Sequence, residues 1–204
     1  MKLPAYNALA IVLATLLGTG ALWWGSSGFS AFTAEAARRQ EILLAPRPMP
    51  SVTLEDQDGH AFHLQDYKGR LLAVEFIYTS CNSICYGLGN TFRQIRERIT
   101  PHPAASDFAL LSISFDPQRD DPTRLREYGR NFGADGRRWR LARVKNESEL
   151  AALLKAFGIV AIADGRGGFE HNAAIHLVGR NGLLKEIHDL DAISPFVDTV
   201  TAQL

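Results

Sequence analysis

The residues Leu71 to Tyr78, Leu-Leu-Ala-Val-Glu-Phe-Ile-Tyr, make an apolar run of strand length broken only by Glu75. A strand with one wet face alternates apolar and polar residues; this one does not, so it is expected to be central and buried on both faces. A second such run spans Phe108 to Phe115. Between them, Leu88, Phe92, Ile95 and Ile99 recur at i, i+4, i+7 and i+11, with Arg93, Arg96, Glu97 and Arg98 on the other side, which predicts an amphipathic helix. Further on, a turn at Asp116-Pro117 leads into a helix over Pro122 to Phe132. Asn146-Glu147-Ser148-Glu149 can cap a helix carrying Leu150, Leu153, Leu154 and Phe157. Hairpins are expected where Val52–Glu55 and Ala61–Leu64 flank Asp56-Gln57-Asp58-Gly59, and where Ala173–Val178 and Leu183–Ile187 flank Gly179 to Gly182. A last helix is expected over Ser194 to Val200. Strands separated by helices predict a three-layer α/β domain.

The 204 residues suffice for one sizeable core plus an appendage, and 46% hydrophobic with 22% charged residues is ordinary for a globular chain. Lys and Arg number 22, as do Asp and Glu, so no net field recruits nucleic acid. The appendage is N-terminal: Ala5 to Trp24 carries no charge and matches the roughly 20 residues that cross a bilayer core, with Trp23 and Trp24 suited to the interface. An anchor is the expectation. The alternative is a cleaved signal peptide, with Lys2 as its positive start and small residues at Ser30, Ala31, Ala34 and Ala36. Arg38 and Arg39 compete with Lys2 over orientation. Pro46, Pro48 and Pro50 then punctuate a polar lead-in. The expected organisation is residues 1–25 as anchor or signal sequence, 26–46 as tether, and 47–204 as the folded domain.

Cys81 and Cys85 are the only cysteines, and they bracket the turn between the first apolar run and the amphipathic helix. There both sulfurs can face the C-terminal edge of the sheet, the usual binding crevice of open α/β folds. A helix start favours the thiolate, the form that both binds metal and exchanges disulfides. Spacing does not decide between the two uses, because residues four apart on a helix lie within reach of either.

Three blocks carry a family resemblance: Ile77-Tyr78-Thr79-Ser80-Cys81-x-x-x-Cys85; Ser112-Ile113-Ser114-Phe115-Asp116-Pro117-Gln118-Arg119-Asp120-Asp121-Pro122; and Glu170-His171-Asn172 followed by Ile175-His176-Leu177-Val178-Gly179-Arg180-Asn181-Gly182. Together they resemble the signature of the SCO/SenC/PrrC proteins over about residues 47 to 200. The resemblance implies a thioredoxin-like fold with one copper ion, Cu(I) or Cu(II), on Cys81, Cys85 and His171, and with Asp116 beside the site or facing a partner. It implies a carrier rather than an enzyme, anchored in a bacterial inner membrane with its domain in the periplasm. Its partners would be a copper acceptor such as cytochrome c oxidase subunit II, with its binuclear copper centre, and a thiol-disulfide partner that keeps the cysteines reduced. The donors agree with copper on softness, although the same trio could take zinc with an open fourth position.

Two departures stand out. Many family members have proline after each cysteine, where this chain has Asn82 and Tyr86; losing the first proline frees an N–H and loosens the turn. A tyrosine common after the ligand histidine is replaced by His176. His171 and His176 are an odd number apart, so in one regular strand they would face opposite ways, and His176 reads as structural. His60, His63, His102 and His188 read as solvated. The basic stretch Arg137-Arg138-Trp139-Arg140 with Arg143 and Lys145 reads as a solvated strand edge that could also dock an acidic partner.

Two functions stay open on the residues: a copper carrier using Cys81, Cys85 and His171, or a thiol:disulfide oxidoreductase cycling Cys81 and Cys85. A thiol peroxidase would not need His171. That histidine discriminates among them.

Overall fold

The computed structural model describes residues 5–26, 28–29, 32–81 and 84–204, apart from the side chains of Ala5, Ile84 and Cys85. Lys2, Ser30, Ala31 and Asn82, all named above, lie outside the described residues. The chain divides into two units, Met1–Leu44 and Ala45–Leu204.

The first unit holds helices α1, Ala5–Gly25, and α2, Ala34–Leu44. In α1, Tyr6–Gly25 is long and apolar enough to cross a membrane. Its Leu17 and Trp24 are 74% and 86% exposed. Within it, the Thr15 hydroxyl donates to the Ile11 carbonyl and so needs no water. Helix α2 lies where a tether was expected. Thr33 caps it by accepting the Ala36 N–H, and Glu35 pairs with Arg38 and Arg39 one turn on. Such i, i+3 and i, i+4 pairs support a short helix in a sequence without glycine or proline.

The second unit runs β1 (Arg47–Pro48), β2 (Thr53–Asp56), β3 (Ala61–His63), β4 (Leu71–Ile77), α3 (Ile84–Ile99), β5 (Phe108–Ser114), α4 (Pro122–Phe132), β6 (Trp139–Arg143) and α5 (Glu147–Phe157). It continues with β7 (Ala161–Ala163), β8 (Phe169–His171), β9 (Ile175–Val178), β10 (Leu183–His188) and α6 (Ile193–Thr201). One eight-stranded sheet has the order β1-β10-β9-β4-β5-β6-β2-β3, with β4, β5 and β6 parallel and β9 antiparallel to β4. All seven residues of β4 are buried, Glu75 among them, as its run of apolar residues on both faces predicted.

Helices cover both faces. On one, Phe92 of α3 packs on Trp139 at 5.8 Å and Phe196 of α6 on Phe108 at 6.5 Å. Helix α4 lies against α3 so closely that a Cβ on Gly89 would sit 2.6 Å from the Phe132 ring. On the other face, Phe157 of α5 meets Phe76 at 5.1 Å. The result is the expected three-layer α/β/α arrangement. The helix ends follow from sequence: Asp121 and Asn146 cap α4 and α5 by accepting the N–H groups of Arg124 and Glu149, and Gly133 and Gly158 close them at positive φ.

Three expectations need correction. The basic stretch is not a solvated edge: β6 lies between β5 and β2, with Trp139 fully buried. Its charges alternate out of that core, and Arg140 lies over the Phe62 ring at 4.9 Å. His171 does not lie in one strand with His176; it ends β8, which among the described residues pairs with β7 in a separate two-stranded sheet. His188 is half-buried, with its ring on Phe196 at 5.2 Å and Nε2 at 3.0 Å from Glu186.

Candidate metal centre

The C-terminal end of β4 delivers the first cysteine. Cys81 is buried, and its N–H reaches the Tyr78 carbonyl at 3.3 Å, which closes the turn beyond the strand. Two residues earlier, Thr79 donates its N–H (2.9 Å) and its hydroxyl (2.5 Å) to the Asp120 carboxylate, which also accepts the Ser114 hydroxyl at 2.5 Å. Asp120 is fully buried, and a buried carboxylate is tolerable only when its lone pairs are engaged in this way. It fixes the Cys81 turn to the end of β5. Cys85 is the second residue of α3, at the positive end of the helix dipole, and its side chain falls outside those described.

His171 arrives from the β7–β8 ribbon. Its ring packs on Phe115 at 5.0 Å and on Tyr78 at 6.0 Å, and Phe169 closes the same aromatic group at 5.3 Å from Tyr78. Tyr78 therefore touches two of the three candidate ligands, Cys81 through its carbonyl and His171 through its ring. Burial pushes the His171 pKa down, against an opposing hydrogen bond to the Asn172 carbonyl. The neutral imidazole, the form that binds metal, is thereby favoured. With its proton on Nδ1, 3.2 Å from that carbonyl, Nε2 is left to coordinate. Asn172 also secures the base of the ribbon, accepting the Val160 N–H and donating to the Gly158 carbonyl.

Asp116 is 7% exposed and follows Phe115 directly. Its carboxylate accepts from Arg119 Nε, and Arg119 Nη1 donates onward to the Gly167 carbonyl at the tip of the ribbon. From the other side, Arg143 donates to the Pro117 carbonyl at 2.9 Å while bound to Glu55. The sequence assigned no role to Arg119 or Asp120, although both stand inside the quoted Asp116 block, and placed Arg143 only in a basic strand edge. His176 is fully buried in β9, with Nδ1 at 3.1 Å from the Val74 carbonyl and its ring between Phe76 and Phe157. It is structural. Asp56, Asp58 and His60 also bring ligating atoms together, but one Asp56 oxygen accepts the N–H groups of Asp58 and His60 and so closes the β2–β3 turn.

The model of the family described as SCO1/SenC matches residues 45–199. The chain belongs to that family. This SCO1/SenC chain is 26% identical over 152 residues to the SCO1 protein homolog of Bacillus subtilis, covering 73% of itself and 77% of that relative. Among solved structures it matches the copper-bound ScoI of Bradyrhizobium japonicum with a TM-score of 0.62 and 22% identity, over 75% of this chain and 99% of that one. It also matches BsSco, a member of the Sco family of cytochrome c oxidase assembly proteins in which a disulfide switch has been identified. There the TM-score is 0.66 and the identity 22%, over 78% and 96% of the two chains. At such identities the likeness speaks for the fold, which is thioredoxin-like.

Proposed function

We propose that this protein is a copper carrier in which Cys81, Cys85 and His171 hold one copper ion and release it by ligand exchange to an acceptor. The observation that carries this reading is the meeting of His171 and Cys81 at Tyr78, with the imidazole biased toward its neutral form. Two thiolates and an imidazole are soft and borderline donors, which suit copper. The copper-bound Sco structure supports the same choice. Residues 1–25 anchor the carrier and residues 47–204 carry the metal, with the domain outside the cytoplasm. The acceptor is the binuclear copper centre of cytochrome c oxidase, as the family's role in oxidase assembly suggests. Asp116 supports the site through Arg119 rather than as a ligand.

The test is a copper titration of the full chain in detergent beside Cys81→Ala, Cys85→Ala and His171→Ala. One equivalent should bind to the wild type, and each substitution should weaken it sharply. Stoichiometric binding unchanged by His171→Ala would sink the assignment.

A second reading is favoured by the position of the cysteine pair at the start of α3 and by the disulfide switch of BsSco. A thiolate of the pair attacks an acceptor disulfide, and the other cysteine resolves the mixed disulfide. Two electrons leave the pair, a Cys81–Cys85 bond forms, and a thiol partner later reduces it. Reduced, metal-free protein should then reduce a disulfide-bonded acceptor peptide; failure to do so removes this role.

A further inference from the structure

The ribbon carrying His171 is a weak platform. It has three residue pairs, exposes Ile162 at 62%, and among the described residues shares no strand with the main sheet. A two-stranded ribbon of this size does not hold itself in place in water. Besides the packing of its Phe169 and His171 rings on Tyr78 and Phe115, three polar attachments help to hold it. Asn172 fixes the base. The Tyr78 hydroxyl makes two long hydrogen bonds, 3.3 and 3.4 Å, to the Phe169 backbone. The third is Arg119, which reaches the far tip, where Gly167 at φ 94 turns its carbonyl toward the guanidinium and the Phe169 ring lies beneath it at 5.4 Å. The same guanidinium is held by the buried Asp116 carboxylate.

We propose that Arg119 is a positioning residue that latches the tip of the His171 ribbon to the Asp116 loop, holding the imidazole at the β4 edge before metal arrives. This rests on the reading of His171 as a ligand. A planar guanidinium can serve the Asp116 carboxylate and the Gly167 carbonyl at once, and its flat face covers Phe169; a lysine ammonium cannot do all three. The latch therefore restricts the ribbon without entering the coordination sphere.

Two measurements on the full chain in detergent test it, using Arg119→Ala, Arg119→Gln and Arg119→Lys, with circular dichroism to confirm that each is folded. Without metal, amide exchange at Asp164, Phe169 and Asn172 should quicken by about 3-fold to 10-fold in the first two variants, as expected for loss of a part-exposed charged hydrogen bond. Arg119→Lys should recover part of that protection. With copper, Arg119→Ala should lower affinity by about 10-fold to 100-fold, the usual cost of removing a group that orients a ligand. The double variant Arg119→Ala/His171→Ala should bind no worse than His171→Ala alone.

Unchanged exchange in folded Arg119→Ala and Arg119→Gln overturns the latch. So does unchanged copper affinity, or a loss that adds in full to that of His171→Ala, since Arg119 would then act elsewhere. Failure of wild type to bind copper instead defeats the carrier reading, while the exchange result still reports on the ribbon.

Discussion

Thr79 and Asp120, forty-one positions apart in sequence, are joined twice: the Thr79 N–H and hydroxyl both donate to one buried carboxylate. The turn that presents Cys81 is thereby fixed to the loop that presents Asp116 and Arg119.

Asp120→Ala should be among the most damaging single changes. It strands the Thr79 N–H and hydroxyl, which are half-buried, and the fully buried Ser114 hydroxyl. The cost should be about 3 to 5 kcal/mol, read from urea unfolding. A loss under about 1 kcal/mol would mean that water replaces the carboxylate without penalty.

Glu75 should make stability depend on pH. It is fully buried in β4, accepts the Ser112 hydroxyl on one oxygen, and among the described residues has no partner for the other. Burial raises its pKa from 4.5 to about 8, against the opposing Ser112 hydrogen bond. Between those values the folded chain keeps a proton that the unfolded chain has lost. Stability therefore falls as pH rises through that window and levels off above it, by on the order of 5 kcal/mol in all. Denaturant curves at pH 5, 7 and 9 should show the decline, and Glu75→Gln should flatten it. A decline that persists in the variant would assign it to another group.

The two histidines of the third block should separate cleanly. His176→Leu leaves the Val74 carbonyl without its imidazole partner, and should cost about 1 to 3 kcal/mol while leaving copper affinity alone. His171→Ala should do the reverse. Equal loss of copper from both would contradict the placement of His176 between Phe76 and Phe157.

Gly89→Ala sets two opposed effects against each other. A helix interior gains about 1 kcal/mol when alanine replaces glycine. The new methyl, however, would lie 2.6 Å from Phe132, a ring already pressed by Tyr86 at 5.1 Å and Tyr128 at 5.0 Å. Overpacking of this kind costs about 1 to 3 kcal/mol, so the melting temperature should fall. A rise would show that α4 can shift away from α3.

The elements that periodicity describes well were legible. β4 and β5 announced themselves by their largely apolar runs, α3 by its stripe from Leu88 to Ile99, α4 by the Asp116-Pro117 turn before it, and α5 by Asn146 at its start. The ribbon was not, because three-residue strands around Asp164-Gly165-Arg166-Gly167-Gly168 carry no period to detect. β6 misled for a related reason: arginines alternating with Trp139 and Leu141 looked like a wet edge, whereas the alternate residues fill the core. At the site, Cys81 and His171 were nameable from their blocks. The parts played by Tyr78, Arg119 and Asp120 depend on which loops meet in space.

The separate two-stranded sheet has a mechanical consequence. His171 hangs from a ribbon whose opening breaks no bond of the eight-stranded sheet, so the imidazole can leave the β4 edge while the core and the Cys81 turn stay intact. The free energy of that local opening is set by a few loop contacts and is independent of what it takes to unfold the domain. Grip and durability can thus be tuned separately: one by loop residues such as Arg119 and Asn172, the other by the packing around Trp139 and Phe76.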